Sequence, residues 1–471
     1  MAEPFYSNQR LDHLGIVAGI CNKIGLIDQV NSFLPESERL VGVGEVVQAM
    51  VLNALGFVSR ALYLTPEFFR NKPLHLLIRP GIEPELLNDD SQGRALDLIF
   101  EKGVTEIFTK VAAHALKIFN IDFQFVHLDS TTLSFEGDYN REEKQEDEIT
   151  ITFGHSKDKR PDLKQAVLSM ICAYRSIIPV WMEALSGNEI DQNTFTITIK
   201  DFCCQLEGNA PFFVVDSAVY SKDNLQIIKD YRWITKVPRS LKEVRDLDRL
   251  TVEKEGWENT EDKHIRYRIH ESDYGGVQQR WIVVLSEKRR SRMQSGFFGR
   301  LEKKTEQAKK SFRQLCQTQY SCKEDAEKAV AKLAKIFPLH NVEYSIERRS
   351  IYSKKGRPGK QSEPEKTNYQ LKGKVLVNRQ AVEEELAKIG LMVLATNELD
   401  NDKLGAIEAI NLYKSQGQSV ERGFRFLKDP MFFAHSLFLR KPSRLMSLMM
   451  IMTFSMLFQA CLKSNPRVTR Y

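Results

Sequence analysis

The chain has 471 residues, 42% hydrophobic and 28% charged, which is more than one ordinary core holds and enough apolar content to fill two or three domains. Lys and Arg outnumber Asp and Glu by 68 to 62, a formal charge of +6, so the total points to no polyanionic or acidic partner and charge has to be read locally. The seven cysteines (Cys21, Cys172, Cys203, Cys204, Cys316, Cys322, Cys461) are odd in number and form no CxxC or other paired metal-ligand spacing, which fits a reducing compartment.

The first residues, "MAEPFYSNQRLDHLG", hold no basic segment followed by an apolar one, so a secretory signal is not expected and a cytoplasmic location is. Residues 1–120 read as helical throughout. In "IVAGICNKIGLIDQVNSFL", "VGEVVQAMVLNALGFVSRAL" and "GRALDLIFEKGVTEIFTKVAAHALKIF" apolar residues recur three and four apart.

The period then changes to two. "FQFVHLDSTTLSFEG" (Phe123 to Gly137) alternates and is rich in aromatic and β-branched residues, and the acidic "REEKQEDE" separates it from "ITITFG", so two strands joined by a charged turn are expected. "KQAVLSMICAYRSIIPVWMEAL" supplies a third strand, "EIDQNTFTITIKDFCCQL" a helix against its own β-branched propensity, and "APFFVVDSAVYS" a continuous apolar run that stops at Asp216. A helix ("SKDNLQIIKD") and a strand ("RWITKVP") follow. Consecutive strands succeeded by alternating helix and strand describe an α/β fold, a mixed sheet flanked by helices, over residues 121–238.

Over residues 239–385 the order loosens into mixed strands and helices. "TVEKEGWENTEDKHIRYRIHES" and "QQRWIVVLSEK" read as strands, and "SEKRRSRMQSGFFGRLEKKTEQAKKSFRQLCQTQ" and "KEDAEKAVAKLAKIF" as exposed helices. Between Glu287 and Arg313 stand ten Lys or Arg (288, 289, 290, 292, 300, 303, 304, 309, 310, 313) against three Glu, the strongest basic run in the chain. "IYSKKGRPGKQSEPEK" is a Pro/Gly/Lys linker, whose Gly-Arg-Pro around Arg357 resembles the core of minor-groove AT-hook peptides. Residues 386–471 return to a strand ("GLMVLATNEL") and two helices, at 404–428 and 443–462. The last of these contains "LMSLMMIMTFSMLFQACL", 18 residues without a charge, and is near the minimum for a membrane span. Ser447, Thr453, Ser455 and Gln459 interrupt it and basic residues flank both ends, so a methionine-rich helix buried under a sheet is the better reading and no membrane partner is expected.

Three acids attract attention. Asp129 lies in the first strand before Ser130-Thr131-Thr132, and Asp216 ends "FFVVD"; acids at the ends of neighbouring strands point to the sheet edge where α/β proteins bind ligands, and carboxylate oxygens suit Mg²⁺. Each could equally cap the following turn. On a helix, Glu421 shares a face with Arg425 and Lys428, with Arg422 beside them, while Val420, Phe424 and Leu427 form the apolar stripe. An i,i+4 surface pair would account for Glu421 and Arg425, but the excess of positive charge suits a polyanion brought to a metal.

In this order "HLDSTT", "GHSKDKRPDLKQ", "FFVVDSAVYS" and "SVERGFRFLKDP" resemble the blocks of bacterial insertion-sequence transposases of the DDE type, which have an RNase H-like core. The resemblance spans roughly residues 5 to 465. It implies that Asp129, Asp216 and Glu421 are a catalytic, metal-binding triad for two Mg²⁺ ions, with Mn²⁺ as a substitute, and that the chain cuts DNA ends and transfers the 3′-hydroxyl into a target. It also implies that residues 239–385, between Asp216 and Glu421, are a partly β insertion. Glu421 and Lys428 match the back of a signature of Tyr, Arg, Glu and Lys. The front departs, with Tyr413 one position early and Gln416 or Gly417 where arginine is expected. Lys157, Lys159, Arg160, Lys164, Arg289, Arg290, Arg292, Lys303, Lys304, Arg357, Arg422, Arg425 and Lys428 are the expected DNA contacts, double-stranded DNA the partner, a homodimer on DNA the assembly, and the nucleoid the place of work. The rivals are a Mg²⁺-dependent nuclease without strand transfer and an inactive DNA-binding derivative.

Overall fold

The structure is a computed structural model that describes residues 8–35, 39–56, 64–139, 145–206, 208–247, 256–351, 366–387, 389–429 and 439–464. In chain order its elements are α1 (Leu14–Ile24), α2 (Leu26–Asn31), α3 (Val43–Leu55), α4 (Thr65–Phe69), α5 (Leu74–Leu77), α6 (Asp89–Lys102), α7 (Val104–Phe119), β1 (Phe125–Phe135), β2 (Lys164–Ala173), β3 (Pro179–Ser186), α8 (Asp191–Cys204), β4 (Phe212–Val215), α9 (Lys222–Ile227) and β5 (Trp233–Lys236). There follow α10 (Lys242–Asp246), β6 (Glu258–Asn259), β7 (Ile265–Ser272), β8 (Gln279–Ser286), α11 (Glu287–Gln317), β9 (Gln319–Tyr320), α12 (Lys323–Ile336), β10 (His340–Ile351), β11 (Lys366–Val377), α13 (Arg379–Ala387), β12 (Leu391–Thr396), α14 (Ala406–Leu427) and α15 (Pro442–Ser464). The chain divides into two units: Met1–Val237 with Glu271–Trp281 and Leu394–Tyr471, and Pro238–His270 with Ile282–Val393.

In the first unit, helices precede a mixed sheet. α7 buries Val104, Ile107, Phe108, Val111, Ala112, Ala115 and Leu116, the three-and-four spacing of one helix face. α15 is the one described helix long and apolar enough to cross a membrane, and 78% of its most apolar window is buried inside the fold, against α1, α3, α6, α7 and β3. Its hydroxyls are satisfied where they lie. Thr453 donates to the Met449 carbonyl at 2.8 Å, Ser455 to that of Ile451 at 3.0 Å, and Ser447 to that of Leu96 at 2.8 Å, so these polar side chains are buried without an unmet hydrogen bond.

β1 pairs antiparallel with β2, and β2 with β3, while β1, β4 and β5 run parallel and Leu394–Thr396 of β12 closes antiparallel on β5. This is the mixed sheet flanked by helices that the periodicities predict. The four residues of β4, Phe-Phe-Val-Val, are all buried, as a central parallel strand covered on both faces requires. One expected strand is absent: "ITITFG" makes only an isolated bridge, Thr152 to Gln165. Its backbone is bonded at two points, to Gln165 through Thr152 and to the Gly187 N–H through the Thr150 carbonyl, and it passes so close to Gly187 that a Cβ on Gly154 would lie 2.0 Å from the Gly187 carbonyl oxygen. α8 forms despite its Thr and Ile content because Thr194, Phe195, Thr198, Ile199 and Phe202 fall on one buried face.

In the second unit, β10 and β11 form a long antiparallel hairpin. Ala308 and Phe312 of α11, Ala326, Val330 and Leu333 of α12, and Leu371 and Val375 of β11 pack into its core. The 31 residues of α11 include only these two buried ones, so the helix from Glu287 to Gln307 has no fully buried side chain.

Candidate functional site

β1 and β4 hold Leu128 opposite Val215 in parallel register, and the next residue on each is an aspartate. Asp129 and Asp216 therefore stand side by side on strands about 4.8 Å apart. Asp129 is three-quarters covered and accepts from the Ser130 N–H at 2.7 Å. Burial pushes its carboxyl up to about 6; Lys157 and the Ser130 N–H pull it down, and the charges of Asp191 and Asp216 push it up again. Asp216 is exposed and caps the following 3₁₀ turn, accepting from the Ser217 N–H at 2.6 Å. The capping role open in the sequence is thus present, and the same residue still faces Asp129.

Glu421 is exposed on α14, which lies against β1, β4 and β5. Val420, Phe424 and Leu427 are buried, as the apolar stripe predicts, and turn the polar face outward. Gly423 lies under the Met456 side chain of α15, where a Cβ would be 2.1 Å from the movable Met456 Cε. On the outward face an open depression of about 450 Å³ is lined by Asp158, Glu421, Phe424, Arg425, Lys428 and Asp429. Arg422 and Arg425 are both exposed. Among the described residues, no three His, Cys, Asp or Glu side chains are gathered closely enough to hold a metal ion.

The loop read from "GHSKDKRPDLKQ" does reach the acids. Lys157 Nζ lies 3.7 Å from Asp129 Oδ1 and donates to Asp191 Oδ2 at 2.8 Å. Other basic residues expected to contact DNA divide into two groups. Arg160 is held by Asp162 and Lys164 lies 3.7 Å from Asp138, so both have carboxylate partners within the fold, whereas Lys159 is exposed at a positive φ of 60°. In the second unit Arg292, Lys303 and Lys304 are exposed along α11, Arg290 is half-buried, and an Arg289 guanidinium nitrogen is 3.6 Å from Met392 Sδ. Arg357 lies outside the described residues. Trp281 is a core residue, its indole donating to the Tyr220 hydroxyl at 3.0 Å.

Sequence reasoning missed Asp191 and Asp158. Asp191 opens α8 after β3 and receives the Ser130 hydroxyl as well as Lys157; the signal available was an acid between a strand and a helix, the same context as Asp216. Asp158 binds Lys428 but is hidden between two lysines.

Residues 6–113, the helical N-terminal region, match the model of a domain of unknown function, DUF4277. No curated protein matches the chain. Among solved structures, the chain is similar to piggyBac transposase in a synaptic complex with hairpin DNA, at 8% identity and a TM-score of 0.35, over 97% of this chain and 80% of that one. A likeness this distant carries neither fold nor function to this chain.

Proposed function

We propose that the protein is a DNA transposase of the DDE type found in bacterial insertion sequences. On this reading residues 121–238 and 386–471 are two parts of an RNase H-like core, 1–120 a helical N-terminal domain and 239–385 an insertion. The observation that carries it is the register that sets Asp129 beside Asp216, together with the packing of the Glu421 helix against the two strands that carry them.

Asp129, Asp216 and Glu421 are the residues that would hold Mg²⁺ or Mn²⁺. The donor chemistry suits such ions, since all three offer hard carboxylate oxygens and Asp129, Asp216 and Asp191 bring negative charge to one place, where Lys157 now lies. Among the described residues no three acids are yet gathered closely enough to hold an ion, so binding would have to draw Glu421 and the aspartates together. When bound, the ions supply the activation of a water, and then of a freed 3′-hydroxyl, for attack on phosphodiesters. The chain's own residues supply the rest. Arg422 and Arg425 sit exposed on the helix of Glu421 and neutralise the phosphates flanking the scissile bond, fixing the strand's position, while Lys428 at the helix end is paired with Asp158. The exposed basic residues of α11 add non-specific grip on the duplex. A homodimer that holds two DNA ends at the nucleoid completes the proposal.

The test supplies a labelled duplex carrying the ends of the DNA element that encodes the chain, a target plasmid and Mg²⁺. Joined products support transposition. Cleavage without joining supports a nuclease, and neither product, with binding retained, supports an inactive DNA-binding derivative.

A further inference from the structure

Two adjacent side chains of the loop before β2 reach in different directions. Lys157 Nζ donates to the Ser130 carbonyl at 2.8 Å, the Ser130 hydroxyl at 2.7 Å and Asp191 Oδ2 at 2.8 Å, and its backbone N–H donates to Thr132 Oγ1 at 3.1 Å. The loop residue is thereby tied to β1 on both sides of Thr131, and to the first turn of α8. The next residue, Asp158, takes Lys428 Nζ on both carboxylate oxygens, at 2.6 and 2.7 Å. Lys428 caps the C-terminal end of α14, less than two turns after Glu421.

We propose that Asp158 is a positioning residue, which fixes the last turns of the Glu421 helix to the loop that Lys157 anchors on the strand of Asp129. This deepens the transposase reading and rests on it. The physical reason lies in how the three acids are carried. Asp129 and Asp216 are set by the register of neighbouring strands, which hydrogen bonds fix; Glu421 sits on a helix that meets the sheet through packing and not through a strand ladder, so its axial position is not set by backbone register. A charge-assisted pair gripped on two oxygens at the helix end fixes that position. Displacements of an ångström are enough to cost a reaction about 10²-fold. The pair is partly exposed, 38% at Asp158 and 23% at Lys428, so it adds little to global stability, and its effect on position is separable from its effect on folding.

A different role is compatible with the same ion pair: Asp158 could occupy Lys428 until a DNA phosphate displaces it. The two roles predict opposite results for the full-length protein acting on a labelled duplex end with Mg²⁺ under single-turnover conditions. Positioning predicts that Asp158→Ala slows cleavage at saturating DNA by about tenfold or more, leaves the thermal unfolding midpoint and the DNA-binding midpoint close to wild type, and that Asp158→Glu recovers most of the rate. Tighter binding with an unchanged or faster rate in Asp158→Ala would overturn positioning in favour of masking. A rate and an unfolding midpoint that fall together, without recovery in Asp158→Glu, would overturn it in favour of a structural role. Asp216→Asn run in the same assay tests the transposase reading by itself, since cleavage that survives that change removes the reaction for which Asp158 would be positioning anything.

Discussion

Asp129 and Asp216 each follow one member of the Leu128–Val215 pair, so two parallel strands set two carboxylates side by side, Asp129 part-way along β1 and Asp216 just past the end of β4. The arrangement is unfavourable for folding. Burial first, and then Asp191 and Asp216, raise the Asp129 carboxyl from 3.8 to about 6, against the pull of Lys157 and the Ser130 N–H. An acid whose folded value lies above its unfolded one binds protons more tightly in the folded state. Its charged form costs nothing below pH 4, costs progressively more as pH rises from about 4 to about 6, and a constant amount above.

Asp129→Asn is therefore expected to stabilise the protein by about 2–3 kcal/mol at pH 8 and by little at pH 4, since one unit is worth about 1.4 kcal/mol. Urea unfolding of both proteins at the two pH values measures it. A destabilised Asn variant at pH 8 would show that Lys157 outweighs burial.

The loop that carries Lys157 and Asp158 depends on a close backbone approach. A Cβ on Gly154 would meet the Gly187 oxygen at 2.0 Å and Gln165 Nε2 at 2.6 Å. Backbone cannot step aside as a flexible side chain can. Gly154→Ala should cost about 1–3 kcal/mol through overpacking, read from the unfolding midpoint, and should slow cleavage by moving the loop. An alanine variant with wild-type stability and rate would mean that the two backbone segments have room to move apart.

Charge on α11 predicts a salt effect. Arg292, Lys303 and Lys304 are exposed on a stretch of helix with no fully buried residue. Replacing all three with Gln should weaken duplex binding uniformly across sequences and lower the slope of log K against log salt by up to about 2.7, or about 0.9 for each phosphate that is no longer neutralised. An unchanged slope would assign the run to a solvated helix face.

Much of this was legible in the sequence, and what was not has a physical reason. The continuous apolar run of Phe212 to Val215 announces a strand buried on both faces, and the stripe of Val420, Phe424 and Leu427 announces which side of α14 turns outward. The alternation in "ITITFG" misleads because period two records which side chains are buried and not whether the backbone forms a ladder; here it makes one bridge, Thr152 to Gln165. The contacts of Asp191 and Asp158 were not legible because their partners, Ser130 and Lys428, lie 61 and 270 residues away. Only the fold brings such pairs together. The arrangement of Arg422 and Arg425 as an exposed basic face beside Glu421 was readable from helical spacing alone.

In the proposed transposase three carboxylates, from β1, the end of β4 and α14, act together on DNA. Glu421 is the member contributed by packing rather than by strand register, so its removal separates a joint action of the three from a role of the two aspartates alone. Cleavage of a labelled duplex end with Mg²⁺ should be lost in Glu421→Gln while duplex binding stays near wild type, because the substitution keeps the helix, its basic neighbours and its apolar stripe. Cleavage at the wild-type rate in Glu421→Gln would mean that Glu421 takes no part in the reaction.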